Sequence, residues 1–334
     1  MKLAPLVWIP LLALSSPREE DELRVVYSTD EAVAFEHREW FSMEPGDVSM
    51  RINGEDVPPE QLEKMGVPMT SQREEDRVRF TTWFEALEDD RPVRARRRFD
   101  ALTRTKVEDG VESEEEGALS GLTLVLSRST DDDAVEVRTA DGEDVEGIDG
   151  AFLENHRLRL ELERYLPDRP VAVGSAWSLD DAVLRAILEI DEEGPRYFES
   201  DDESDDPIVE AMDRAARFAG EVLYDRREDV DGVACAVLVI SLSVETDGVE
   251  VDPAAFGMDE EGIEASAKLA IEMEVKARLW FAIEAGRPIK TKSEMEGSMR
   301  ISMAMSNAQI GLDMEFELGA DMKGGSESEW SYGE

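Results

Sequence analysis

Cysteine, histidine and aromatic residues are what this 334-residue chain has least of: one Cys, two His and an aromatic content of 7%. A single thiol, Cys235, cannot close an internal disulfide and excludes Cys-rich zinc sites. It lies in an apolar run and reads as a buried small hydrophobe rather than a nucleophile. His37 and His156 stand alone, which leaves little room for His-based metal or triad chemistry. Sparse aromatics argue against a carbohydrate cleft, although two of the many carboxylates could still meet in one. The chain has no G-x-S-x-G, H-E-x-x-H, P-loop or G-x-G-x-x-G motif, so no cofactor is expected.

Acid, by contrast, is abundant. There are 80 Asp and Glu against 36 Lys and Arg, a formal charge of −44. Such a surface repels phosphates and anionic headgroups, so no nucleic-acid partner is expected. Self-repulsion on this scale predicts stability that rises with salt. The basic residues are 28 Arg and 8 Lys. Arg91, Arg94, Arg96, Arg97, Arg98, Arg104 and Lys106 form one basic stretch. It could bind an anionic headgroup, but the preferred reading is neutralisation of Glu85, Glu88, Asp89 and Asp90 across a hairpin. Asp131-Asp132-Asp133 and Asp141-Gly142-Glu143-Asp144 could offer oxygen ligands to Ca²⁺. Neither has EF-hand spacing, and composition alone produces such clusters, so no metal site is assigned.

Residues 1–16, MKLAPLVWIPLLALSS, combine Lys2, an apolar run from Leu3 to Leu14 and small residues at Ala13 and Ser15. The run is too short to span a bilayer and reads as a signal peptide, making the protein exported, periplasmic or extracellular. Pro5 and Pro10 leave open a buried N-terminal strand or helix. No cysteine follows for a lipid anchor, and no later run is long enough for a transmembrane segment.

Asx-Gly pairs mark hairpins at Asn53-Gly54, Asp109-Gly110, Asp141-Gly142, Asp149-Gly150, Asp231-Gly232 and Asp247-Gly248. Expected strands in the first half are Leu23 to Ser28, Ala34 to Phe41, Val78 to Ala86, Val93 to Thr105, Leu119 to Ser127 and Val135 to Thr139. A Pro-rich excursion, Val57 to Pro68, could hold one or two helical turns. Helices are expected at Phe152 to Leu166, after a Ser178/Asp181 capping box, and from Pro207. The first also alternates as Arg-Leu-Arg-Leu-Glu-Leu-Glu, like a strand. Glu199 to Asp206 reads as an acidic loop. Val233 to Leu242 is apolar enough to be buried on both faces, and pairs with Phe218 to Arg226.

Three long alternating runs follow, Leu269 to Ile283, Ile289 to Met305 and Ile310 to Met322, each with one greasy and one charged face. Strands this long should twist strongly. The expected fold is α+β, mainly antiparallel β: a curved, half-barrel-like meander with two or three short helices. Residues 17–334 would form one β-rich domain, with two similar halves at about 23–150 and 151–323 as one possibility, and a polar tail at 324–334. Met273, Met295, Met299, Met303, Met305, Met314 and Met322 share the apolar face, with Phe316 among them. Methionine suits a surface that adapts to apolar partners. These residues are candidate ligand contacts; the alternative is an ordinary core packed under the helices.

The phrase Tyr165-Leu166-Pro167-Asp168-Arg169-Pro170-Val171-Ala172-Val173-Gly174-Ser175-Ala176-Trp177 resembles one recurring in secreted bacterial β-rich proteins of unknown function. Their pattern is Leu-Pro, then Pro-Val-x-Val-Gly-x-x-Trp. The resemblance implies a curved sheet akin to the open half-barrels of periplasmic lipoprotein carriers. It implies no activity and transfers no functional residue. The leading expectation is therefore a non-enzymatic exported protein binding a hydrophobic small molecule, such as a lipid or acyl chain, or an envelope protein. A carboxylate-based hydrolase and a structural envelope module are the alternatives.

Overall fold

The computed structural model describes residues 19–64, 71–108, 110–129, 135–140, 148–187, 195–199, 215–251, 264–307 and 311–333. The strands of the first half are β1 (Glu20–Asp21), β2 (Ala32–Ile52), β3 (Glu55–Asp56), β4 (Gln72–Glu88), β5 (Arg91–Glu108), β6 (Val111–Glu116), β7 (Thr123–Arg128) and β8 (Val135–Thr139). Those of the second are β9 (Val171–Ala172), β10 (Ala176–Ser178), β11 (Arg217–Val230), β12 (Val233–Val251), β13 (Glu264–Ala282), β14 (Arg287–Asn307) and β15 (Leu312–Gly333). Two short α-helices, α1 (Pro59–Lys64) and α2 (Asp181–Ile187), accompany them.

Thirteen strands make one antiparallel sheet along the path β10-β11-β12-β13-β14-β15-β2-β4-β5-β7-β8, with β3 on β2 and β6 on β5; β1 and β9 pair separately. The chain halves join where β15 pairs with β2, from Met314 opposite Ile52 to Gly333 opposite Ala32. The path ends on β10 and β8, so the sheet is open. It is mainly antiparallel β, as expected, and its short helices fit an α+β label only loosely.

Alternation fixes the faces, because successive strand side chains point to opposite sides. Inward residues of β11 to β13, including Val222, Tyr224, Leu238, Ile240, Leu279 and Phe281, form one core with Leu23, Val25, Leu162 and Leu184. Val33, Val78, Phe84, Phe99, Leu102 and Leu124 form a second with Phe152, Leu158 and Phe198. Tyr27 and Trp330 pack against both. Outward positions such as Glu272, Glu274, Lys292, Glu294, Glu296, Asp313 and Glu315 are exposed. That polarity is opposite to a membrane-spanning barrel, whose outer face is apolar.

The hairpin signals are borne out at Asn53-Gly54 (φ 54° and 79°) and Asp231-Gly232 (φ 52° and 85°), the two positive φ values a type I′ turn requires. Others need correction. Asp247-Gly248 is a bulge within β12, where the register shifts between Thr246 and Val249. Asp149 caps a 3₁₀ turn, Gly150–Leu153, its Oδ1 accepting from the Ala151 amide at 3.1 Å. The β4–β5 turn is Asp89-Asp90, both at positive φ without glycine. Asp109 and Asp141-Gly142 lie outside the described residues.

The helix expected over Phe152 to Leu166 is instead an extended strap with 3₁₀ turns at Gly150–Leu153 and Glu161–Tyr165. Its Leu158 enters one core and Leu162 the other, which a helix on one side could not achieve. Leu23 to Ser28 belongs to no strand. Leu23 and Val25 bury their side chains while the Val26 amide donates to the Gly286 carbonyl at 2.7 Å. The second helix starts at Asp181, capped by Asp180, whose Oδ1 accepts from the Val183 amide at 2.8 Å, rather than by Ser178. Helical turns in the Pro-rich excursion are α1. Residues 324–333, expected as a polar tail, complete β15. The Pro207 helix, most of the 199–206 loop and both candidate calcium clusters fall outside the described residues.

Candidate ligand-binding cavity

A cavity of about 830 Å³ opens on the inner face of the sheet. Its floor comes from seven adjacent strands, β12, β13, β14, β15, β2, β4 and β5. Six spacings of about 4.8 Å make that floor about 29 Å wide. One cavity lined by so many neighbours requires the sheet to curve around it. The roof is the 157–165 strap and the 195–198 segment.

Cross-strand register sorts the floor into rows. Trp330, Phe35, Phe80 and Phe99 are successive partners on β15, β2, β4 and β5. Their rings touch at centroid distances of 5.1, 4.8 and 5.7 Å. A second row runs Leu279, Thr291, Ser328, His37, Val78, Leu102. A third runs Ala277, Ser293, Ser326, Glu39, Asp76, Arg104. Both of these rows are aliphatic on β13, hydroxyl on β14 and β15 and titratable on β2; the third stays titratable through β4 and β5, whereas the second returns to aliphatic at Val78 and Leu102.

The polar groups hold one another. His37 Nδ1 lies 2.8 Å from Ser328 Oγ and its Nε2 3.4 Å from Glu39. The Ser293 and Ser326 hydroxyls are 2.8 Å apart. Arg104 grips Asp76 with two bonds, 2.9 and 2.7 Å, reaches Glu74 at 3.0 Å, and lies 4.4 Å from the Phe198 ring centroid. These bonds, led by that to Asp76, raise the Arg104 pKa. Arg97 is buried over Phe80, donating to Thr82 Oγ1 at 3.2 Å and to the Arg157 carbonyl at 3.0 Å. The strap is pinned by Tyr27, whose hydroxyl accepts the Leu160 amide at 2.9 Å and donates to Glu163. Burial, then the Glu163 charge, pushes the Tyr27 pKa up. Trp177 of the Pro-Val-x-Val-Gly-x-x-Trp phrase donates to the Tyr165 carbonyl at 3.1 Å at the strap's end.

The methionines share this inner face but do not line the cavity. Met295 is one row further along β14, its Cε beside Gly324. Met273, Met299 and Met303 pack with Leu269, Ile271 and Ile301. Met303 and Met314 pack with Phe316, Met50 and Leu62 of α1, while Met305 stands opposite Met314. All seven methionines of this face are half-buried and Phe316 is buried. The Thr and Ser positions of the floor carried a weak sequence signal, as small polar residues at inward places in an otherwise greasy alternation. Arg97 and Arg104 were hidden in the basic stretch, and only the strand parity, with a bulge at Asp100, turns them inward. The outward arginines of that stretch do neutralise acid: Arg94 and Arg96 share Glu85 at 2.9 and 2.7 Å.

Cys235 is buried and reduced, its pKa raised by burial. Among the described residues no group of three or more His, Cys, Asp or Glu is placed to hold a metal ion. No described helix is long and apolar enough to cross a membrane.

No family model matches the chain, and no curated protein sequence matches it. Among solved structures, the crystal structure of the outer membrane protein OprG from Pseudomonas aeruginosa aligns over 92% of this chain and 97% of that chain at 6% identity. Its TM-score is 0.19, at which the likeness carries no conclusion about fold or function.

Proposed function

We propose that this is an exported, non-enzymatic binding protein that takes a hydrophobic or amphiphilic small molecule into the inner-face cavity. The observation that carries the reading is the cavity itself. Its volume is in the range of small-molecule sites, it is pre-formed by a rigid sheet, and aromatic and aliphatic rows line it with a few convergent polar groups. Export to the periplasm or beyond rests on residues 1–16. The methionine rows extend the same apolar face and would suit a longer ligand or an envelope partner.

A carboxylate-based hydrolase fits less well. Glu39 and Asp76 do face each other as cross-strand partners, but both Asp76 oxygens are held by Arg104. That pairing aims the Asp76 carboxylate at Arg104 rather than at a bound substrate.

The test is native mass spectrometry of protein purified without detergent, followed by solvent extraction and titration with a fluorescent fatty acid. Co-purified lipid or saturable uptake is expected. A bare mass with no uptake would overturn the reading.

A further inference from the structure

The cavity is amphipathic in one direction, across the strands rather than along them. The inward floor positions on β12 and β13 are aliphatic while the β4–β5 end is charged, and Arg159 and Arg164 of the strap and Arg278 of β13 also reach the lining. The charge there runs against that of the molecule. The chain carries more than twice as many acidic as basic residues, yet Arg97, Arg104, Arg157 and Arg196 gather at this end against Glu39 and Asp76. Arg196 is exposed at the rim of this end. Arg97 and Arg157 are tied together through the Arg157 carbonyl, which fixes the strap over β5.

From this we infer that the ligand is an anionic amphiphile lying across the strands, its carboxylate or phosphate head at the β4–β5 end and its chain running toward Ala277 and Ile240. This rests on the cavity reading above and specifies it. Arginine suits such a head because its planar fork matches two oxygens at once and keeps its charge. The hydroxyl row between the ends supplies neutral donors beside the head, and a flexible alkyl chain can follow the curved floor, about 29 Å along its arc. An acidic exterior leaves the cavity as the place where an anion is favoured.

The experiment compares oleate, oleyl alcohol, dodecyl phosphate, acetate and inorganic phosphate on the full chain at moderate salt, by calorimetry or probe displacement. Oleate is expected to bind roughly tenfold or more tightly than oleyl alcohol, with dodecyl phosphate also retained and the chainless anions weak. In Arg157→Gln/Arg196→Gln the ratio of acid to alcohol should fall toward one, with the loss of oleate affinity exceeding any loss for the alcohol. Ala277→Trp, at the far end, should weaken oleate but spare decanoate. Equal uptake of acid and alcohol overturns the anionic head and leaves the cavity reading standing. Acetate or phosphate binding as well as oleate overturns the amphiphile in favour of a free anion. Uptake of no chain-bearing ligand overturns both readings.

Discussion

The hydroxyls of Ser293 and Ser326 stand 2.8 Å apart across β14 and β15, and the Ser326 amide donates to Ser293 Oγ at 3.0 Å. One row further on, the same two strands place Met295 opposite Gly324, and the cavity ends. Small side chains in the serine row are therefore what leaves volume open. Ser293→Leu/Ser326→Leu should fill the floor and reduce probe uptake by tenfold or more. Thermal stability should hold or rise, because each serine exchanges a hydroxyl for buried apolar area. Unchanged uptake in a folded double variant would move the binding site elsewhere.

Gly325, beside that row, has no room for a side chain. A Cβ there would lie 2.7 Å from the Ser293 carbonyl oxygen and 3.1 Å from Trp40 Nε1. The close backbone cannot swing aside, so Gly325→Ala should cost about 1–3 kcal/mol in urea denaturation. Gly333→Ala, with nothing within 4 Å of the added carbon, is the control and should be near neutral.

The strand pattern was legible because period-two alternation and Asx-Gly turns are local signals. Val233 to Leu242 and the three long C-terminal runs were read as strands from residues that touch their own neighbours. The β15–β2 seam was not, since nothing in Trp330 or Phe35 alone says that they meet across almost the whole chain. The 152–166 strap misled for a physical reason. Leu158 and Leu162, four residues apart, fit one helix face, yet each belongs to a different core, and only the curved sheet puts both cores under one segment. The cavity was illegible for the same reason as the seam. Its rows run perpendicular to the chain, and each strand contributes one or two residues to each.

Asp21 ties the N-terminal segment to β11. It accepts from the Tyr224 hydroxyl at 2.6 Å and from Arg227 at 2.9 and 2.7 Å, all at a nearly buried position. Burial, helped by the bond to Asp21, pushes the Tyr224 pKa up to about 12. Asp21→Ala leaves that buried hydroxyl without its acceptor. It should destabilise by about 2–3 kcal/mol in chemical denaturation, the range for hydrogen bonds to a charged group. Asp21→Asn keeps an acceptor and should lose less.

His156 gives stability a pH dependence of known sign. It is buried, its Nε2 donates to the Phe152 carbonyl at 3.0 Å, and burial, then the nearby Arg97 charge, lowers its pKa to about 4. Between about pH 4 and 6.5 the unfolded chain therefore binds a proton that the folded chain refuses. Stability from this group is complete above pH 6.5 and is lost as pH falls toward 4, by up to about 3 kcal/mol at 1.36 kcal/mol per unit. Unfolding free energies at pH 7 and pH 5 should differ more for the native protein than for His156→Phe, where that titration is gone. An equal drop in both proteins would assign the acid sensitivity to other groups.

Salt should act oppositely on the two kinds of charge interaction in this molecule. Its ion pairs are mostly exposed, as with Arg38–Glu75 and Arg77–Glu36, and each contributes at most about 1 kcal/mol that screening removes. Against them stands the repulsion of a chain with a formal charge of −44, and outward strand positions such as Glu272, Glu274, Glu294, Glu296, Asp313 and Glu315 carry part of it. Screening lengths fall from about 10 Å at 0.1 M to about 3 Å at 1 M salt, short enough to quiet neighbours on adjacent strands. With acid in such excess, relief of repulsion outweighs the lost pairs. The melting temperature should climb by several degrees between low and molar NaCl. A flat or falling curve would mean that paired arginines such as those on Glu85 dominate the surface energy.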